Sequence, residues 1–192
     1  MKDKQKDRII IVEGPQGAGK TTFTNYLREK MTSTDLYRLQ GIKDKTSAGL
    51  EKSKKRYETL LEYMKNTENV DMLFDRTFFS EEVYCRLGYK DYSFTEVYND
   101  LLEKLNNLDS EIYLVILYLD DKTEYENRLN RDKHAYQEFK AKNSILQQEA
   151  YLKLADEVEE RAKNIKVIRF ENTSEHGREE RVEQLFRRYK YI

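Results

Sequence analysis

The stretch Gly14-Pro15-Gln16-Gly17-Ala18-Gly19-Lys20-Thr21 fits G-x-x-x-x-G-K-[ST], the pattern of a phosphate-binding P-loop. No other feature constrains the fold as tightly, because the motif works only between a buried strand and the start of a helix. Both flanks are present. Ile9-Ile10-Ile11-Val12 reads as a buried parallel strand, and Phe23, Tyr26, Leu27 and Met31 recur as one face of a helix. Glycines let successive backbone N–H groups converge on phosphate oxygens, and the helix N-terminus adds partial positive charge. In such a loop Lys20 reaches the β- and γ-phosphates and Thr21 ligates Mg²⁺.

The rest of the chain supplies the sheet that this loop needs. Strands are expected at about Arg8–Val12, Leu36–Leu39, Met72–Phe74, Ile112–Leu119 and Val167–Phe170. Apolar residues at helical spacing fall between them. These are Tyr57, Leu60, Leu61 and Met64, then Phe79, Val83 and Leu87, then Val97, Leu101, Leu105 and Leu108. Further on come Tyr125 with Leu129, Ile145 through Ala162, and Val182, Leu185, Phe186 and Tyr189. Alternation of strand and helix predicts an α/β fold of three layers, with helices on both faces of a central parallel sheet of about five strands. Right-handed crossovers carry every strand's C-terminal end to one edge, where ligands bind. Gly14–Thr21, Asp75-Arg76 and Asp120-Asp121 are therefore expected to meet there.

At 192 residues the chain suits one domain, residues 1–192, with a full core. A net charge of −1 gives no global field towards nucleic acid or membrane. No apolar run approaches the roughly 18 residues of a membrane span. The single cysteine, Cys85, excludes an intrachain disulfide, and only His134 and His176 exist as base partners for it. It reads as a small buried hydrophobe. Together these features point to the cytosol.

Asp75-Arg76 ends a buried strand beside the expected phosphates. Asp75 suits Mg²⁺, directly or through water, and Arg76 suits a bidentate phosphate clamp. Asp120 and Asp121 compete for the magnesium role but equally suit a helix cap. Arg128 and Arg131 share a helical face in the charged stretch Arg128–Lys142, which also holds Lys133. A mobile arm with these arginines would cover the charge of a transferred phosphoryl group and exclude water. A solvated charged helix is the alternative.

Taken together, Glu13-Gly14-x-x-Gly17-Ala18-Gly19-Lys20-Thr21-Thr22, Asp75-Arg76-Thr77 with Ser80, Val83 and Tyr84, and Arg128-x-x-Arg131 resemble the thymidylate kinase and deoxynucleoside kinase group of P-loop kinases. The resemblance covers nearly the whole chain in element order. It implies a nucleoside monophosphate kinase-like architecture in which Gly14 through Thr22 hold ATP and Asp75 organises Mg²⁺ with Thr21. It implies that Arg76 orients the acceptor or transferred phosphate. A helical lid is implied at about residues 128–143, and an acceptor pocket bounded by Phe78, Phe79 and the helix near Tyr57. Two departures fall on acceptor recognition and leave the ATP side intact. Thymidylate kinases have an acidic residue where this chain has Gln16, and it helps to bind the acceptor sugar. They also carry an Arg-Glu-Pro segment where this chain reads Tyr37-Arg38-Leu39-Gln40-Gly41.

These readings converge on an ATP- and Mg²⁺-dependent kinase acting on a deoxynucleoside monophosphate or a deoxynucleoside. A nucleoside acceptor needs a base for its hydroxyl proton, and Glu13 is the nearest candidate by sequence. Two rivals remain: a kinase for a hydroxyl of nucleic acid, and an ATP-binding switch with no small acceptor. The stretch from Lys43 through Lys52, Lys54, Lys55 and Arg56 is locally basic. It reads as a solvated helix face, an acceptor-phosphate site or a nucleic-acid contact. A homodimer is compatible with the sequence.

Overall fold

Five strands form one parallel sheet in the order β2-β3-β1-β4-β5. They are β1 (Arg8–Glu13), β2 (Thr34–Arg38), β3 (Asp71–Asp75), β4 (Glu111–Tyr118) and β5 (Ile165–Glu171). The helices are α1 (Lys20–Lys30), α2 (Ser47–Asn66), α3 (Phe78–Arg86), α4 (Thr95–Asn106), α5 (Glu124–Arg131), α6 (Ala141–Arg161) and α7 (Arg178–Arg188). This is a computed structural model, and it describes residues 6–31, 33–131, 140–174 and 176–188. Lys133, His134 and the centre of the expected lid, 132–139, lie outside the described residues, as does Tyr189. Among the described residues no helix is long and apolar enough to cross a membrane.

The sheet separates two apolar layers because alternate strand residues face opposite sides. Ile9, Ile11, Met72, Phe74, Leu114 and Ile116 face α2, α3, α4 and α6. Ile10, Val12, Leu73, Val115 and Leu117 face α1 and α7. Strands buried on both faces read as continuous hydrophobic runs, as Ile9–Val12 and Ile112–Leu117 do.

The chain leaves β1 towards α1 on one face, and leaves β3 towards α3 on the other. The two loops diverge at the carboxyl ends of adjacent strands, which opens a crevice there. All five strands differ from their expected limits by one or two residues, and two of the differences are informative. The edge strand β2 begins two residues earlier, at Thr34, where only edge pairing with β3 defines it. The strand β1 extends to Glu13, which pairs with Ile116 and is fully buried. A terminal carboxylate looks like the end of a strand in sequence. Here it continues the strand because donors await it inside.

Helix α2 starts against the loop before it. A Cβ on Gly49 would lie 2.2 Å from the Asp44 carbonyl oxygen and 3.1 Å from the Tyr92 ring. Gly49→Ala gains about 1 kcal/mol of helix propensity. Overpacking against a backbone atom costs about 1–3 kcal/mol or more. The expected net result is a lower urea midpoint for Gly49→Ala. Gly41→Ala, with nothing within 4 Å of its Cβ, is expected to stay close to the parent.

Candidate active site

The P-loop takes the shape its sequence demands. Gly14 sits at φ +141°, and a Cβ there would meet the Leu117 carbonyl oxygen at 2.5 Å. The Ala18 amide donates to the Pro15 carbonyl at 3.3 Å, closing the turn. Gly19, in the left-handed region, caps α1, so Lys20, Thr21 and Thr22 occupy its first turn. The Lys20 ammonium is buried and spans the loop, donating to the Gly14 and Pro15 carbonyls at 2.8 and 2.7 Å. Burial, with Arg76 nearby, pulls its pKa down to about 7 against the attraction of Asp75 and Glu13.

Amides that converge on a concavity leave carbonyls that diverge, and those need donors of their own. Asn172, after β5, donates from Nδ2 to the Ala18 carbonyl at 2.6 Å. Arg128 donates to the Gly17 carbonyl at 3.3 Å, and to the carbonyls of Asn172 and Thr173 at 2.7 Å each. Arg178 in turn donates to Asn172 Oδ1 at 2.7 Å. The sequence reading puts Arg128 on a mobile arm. In the structure it is 4% exposed and braces the P-loop from behind, because its guanidinium is spent on backbone carbonyls. Arg131 is exposed and lines, with Arg128, Asn127, Asp121 and Thr173, a cavity of about 430 Å³ between α5 and the loop after β5. Asp121 accepts from the amide and hydroxyl of Thr123 at the entry to α5, which is the capping geometry.

Across the crevice stands the turn after β3. The Thr21 hydroxyl donates to Asp75 Oδ2 at 3.2 Å, so the first-turn hydroxyl and the strand-end carboxylate adjoin. This pair of hard oxygens fits Mg²⁺, which takes one or two protein ligands and completes its shell with water and phosphate. Arg38 approaches the same carboxylate at 3.9 Å. Arg76 adopts φ +73°, a left-handed conformation that a branched or long side chain adopts only under constraint. Its amide donates to the Val12 carbonyl at 3.1 Å, and its guanidinium donates to the Tyr84 hydroxyl at 2.9 Å.

Glu13 imposes that constraint. Its carboxylate accepts from the Thr77 amide at 2.6 Å, the Thr77 hydroxyl at 3.2 Å and the Ser80 hydroxyl at 2.6 Å. Burial pushes its pKa up to about 7, against the hydrogen bonds from Ser80 and Thr77 and the charges of Arg76 and Lys20. As a candidate base for an acceptor hydroxyl, Glu13 is therefore badly placed. It is 0% exposed, and both oxygens are occupied by the turn it holds.

Other expected residues have different surroundings. Phe78 and Phe79 are fully buried, stacked on each other with centroids 4.4 Å apart, and packed against Tyr98. They are core, and shape a pocket only from behind. Tyr57 is 2% exposed, edge-on to Phe78 and Phe94, with the Arg56 guanidinium over its ring. The Gln16 backbone amide donates to Gln147 Oε1 of α6 at 3.1 Å. Burial, with Glu81 and Glu82 close by, pushes the Cys85 thiol up to about 12, which removes it as a nucleophile. Asn172, Gln147 and Tyr151 (0% exposed, in hydrogen-bond contact with Ser80) have no motif of their own in the sequence. The one signal for the latter two is a run of polar residues on the inner face of a helix.

Fold and loop together give a three-layer α/β architecture with a P-loop-type turn between β1 and α1. Three solved structures share that fold. The YorR protein from Bacillus subtilis, in complex with phosphorylated GDP, is 21% identical with a TM-score of 0.67, covering 95% of each chain. Thymidylate kinase from Candida albicans is 13% identical with a TM-score of 0.63, covering 97% of this chain and 93% of that one. Deoxyadenosine kinase from M. mycoides, with bound dATP, is 16% identical with a TM-score of 0.64, covering 95% and 99%. No protein-family model and no curated protein matches the sequence.

The raised pKa of Glu13 has a sign that can be tested. The folded state holds a proton that the unfolded state releases near 4.5. Glu13's contribution is therefore fully present below 4.5 and is lost as pH rises from there to about 7, amounting to on the order of 3 kcal/mol. Urea unfolding at pH 5 and pH 7 is expected to show stability falling with pH. Glu13→Gln is expected to flatten that slope.

Proposed function

We propose that this protein is an ATP- and Mg²⁺-dependent phosphotransferase that moves the γ-phosphoryl group of ATP to a deoxynucleoside monophosphate. The observation that carries the reading is the juxtaposition of the P-loop, through Thr21, with Asp75 and the strained Arg76 turn at the same sheet edge. Shared fold with thymidylate and deoxyadenosine kinases supports a nucleotide or nucleoside acceptor.

Catalysis then consists of positioning and charge neutralisation. The P-loop amides and Lys20 bind the β- and γ-phosphates, whose oxygens replace the Gly14 and Pro15 carbonyls as partners of the ammonium. Thr21 and Asp75 would hold Mg²⁺, which would supply charge stabilisation for the transfer. Arg76 orients the acceptor phosphate across the crevice. The cavity beside Arg128 and Arg131 has room for the nucleoside of ATP.

A monophosphate is favoured over a nucleoside by the state of Glu13. A nucleoside hydroxyl must lose a proton to a base within hydrogen-bond reach. Glu13 has no exposed surface and is saturated by Thr77 and Ser80. A phosphate acceptor is already an anion and needs no base. Two cations of the basic stretch are already engaged within the chain. Lys52 pairs with Asp44 at 2.7 Å, and Arg56 donates to the Gln40 carbonyl.

The test is ATP turnover against deoxynucleosides, deoxynucleoside monophosphates and an oligonucleotide. Monophosphates are expected to be the fastest acceptors, and Lys20→Ala is expected to lower turnover by about 10²–10³-fold. Faster phosphorylation of nucleosides or of the oligonucleotide would overturn the acceptor assignment. Acceptor-independent turnover, or Lys20→Ala within threefold of the parent, would overturn the kinase itself.

A further inference from the structure

The inner face of α6 changes character halfway along. Leu154, Ala155 and Val158 are buried and apolar, as a helix packed on a sheet requires. The preceding inward positions are Ser144, Gln147, Gln148 and Tyr151, spaced i, i+3, i+4, i+7. All four are polar and at most 5% exposed. Uncharged polar groups cost free energy to bury unless they are paired, and apolar residues of similar size would pack there at less cost. Their presence calls for a role other than stability, and their partners indicate it.

Each pairing ends on a different wall of the crevice. Gln147 Oε1 accepts from the Gln16 amide of the P-loop at 3.1 Å. Gln148 accepts from the Leu119 amide at 2.8 Å, donates to the Leu119 carbonyl at 3.0 Å, and accepts from the Tyr125 hydroxyl of α5. The Tyr151 hydroxyl lies 2.8 Å from Ser80 Oγ. With Glu13 ionised, the one hydroxyl hydrogen of Ser80 goes to Glu13, so Tyr151 donates to Ser80. Burial holds the Tyr151 phenol well above its ordinary range, so it keeps that proton. A connected chain results: Tyr151 donates to Ser80, Ser80 donates to Glu13, and Glu13 also accepts from the Thr77 amide beside the left-handed Arg76.

We propose that Gln147, Tyr151 and Ser80 are positioning residues: α6 grips the donor loop through Gln147 and the acceptor turn through Tyr151 and Ser80, and so sets the alignment of the two reacting phosphates. The P-loop and the Arg76 turn leave adjacent strands towards opposite faces; besides the Thr21–Asp75 hydrogen bond and the carboxylate of Glu13, α6 adds side chains that reach both. Gln147 and Tyr151 are one helical turn apart, so a single rigid helix holds both contacts at a constant separation.

The kinetic part of the proposal rests on the kinase reading above. The variants are Tyr151→Phe, Ser80→Ala and Gln147→Met, which remove hydrogen bonds while keeping most of the packing. Each is expected to lower kcat for transfer about tenfold or more, since misplacement by about 1 Å costs up to about 10²-fold. KM for ATP is expected to stay within twofold, and ATP lost to water per transfer is expected to rise. Ser80→Thr, which keeps the hydroxyl, is expected to restore kcat to within threefold of the parent. A kcat within twofold of the parent in Tyr151→Phe and Gln147→Met, or one that falls only with the folded fraction, would overturn the proposal. Amide hydrogen exchange separates this from failure of the kinase reading. Even if no acceptor is phosphorylated, Tyr151→Phe is expected to speed exchange of the Thr77 amide tenfold or more at unchanged global stability. Unchanged Thr77 exchange would overturn the tether.

Discussion

A carboxylate with no access to water governs the architecture of this crevice. Glu13 ends the central strand, and its desolvation is strongly unfavourable unless donors surround it. The donors come from one place, the turn and first helical turn after β3, through the Thr77 amide, the Thr77 hydroxyl and the Ser80 hydroxyl. Satisfying Glu13 therefore forces the chain after Asp75 to fold back over β1. Arg76, between the strand and these donors, takes a left-handed conformation as a consequence. Its strain is maintained by the neighbours on either side, since its own amide is held by Val12 and the next amide by Glu13. An apolar residue at position 13 would pack in the strand but would release the turn.

The P-loop poses the complementary problem. Its amides turn inward, so its carbonyls turn outward and would be left unpaired at a buried helix start. The chain answers with residues from its last third. Asn172 covers Ala18, Arg128 covers Gly17, and Arg178 holds Asn172 in place. A Cβ on Gly19 would come within 2.6 Å of Asn172 Nδ2, so the glycine there serves close approach as well as backbone freedom. The phosphate loop is thus supported by contacts more than 100 residues distant in sequence.

What the sequence reveals follows from the range of the interactions. The P-loop, β1 and α1 are legible because strand, glycine spacing and helix face are local patterns. Asp75-Arg76 is legible because a buried strand followed by charge must surface at the ligand edge. Arg128 was visible as a charge at helical spacing, but whether it faces solvent or a ring of carbonyls depends on Asn172 and Thr173, which nothing nearby announces. Phe78 and Phe79 follow the Asp-Arg motif, and the family resemblance implies that they bound a pocket. Their burial depends on Tyr98 arriving from α4. Glu13 and Tyr151 meet through Ser80 across 67 and 71 residues, and no periodicity encodes that meeting.

The charges in the crevice form a set balanced for an anion. Lys20 is drawn down to about 7 by burial and by Arg76, while Asp75 and Glu13 pull the other way. Two cations and two carboxylates share a small region from which water is largely excluded, and Lys20 and Glu13 are both displaced from their ordinary ranges there. On the proposed kinase reading, a phosphate between Lys20 and Arg76 would add negative charge beside both cations, favouring the ammonium of Lys20 and the protonated form of Glu13. The same burial that depresses Lys20 strengthens its attraction for the arriving anion, because the surrounding dielectric is low. Desolvation of the loop lysine and rigid bracing of the loop's carbonyls thus act together: one strengthens the field at the phosphate position, the other holds the donors that shape it.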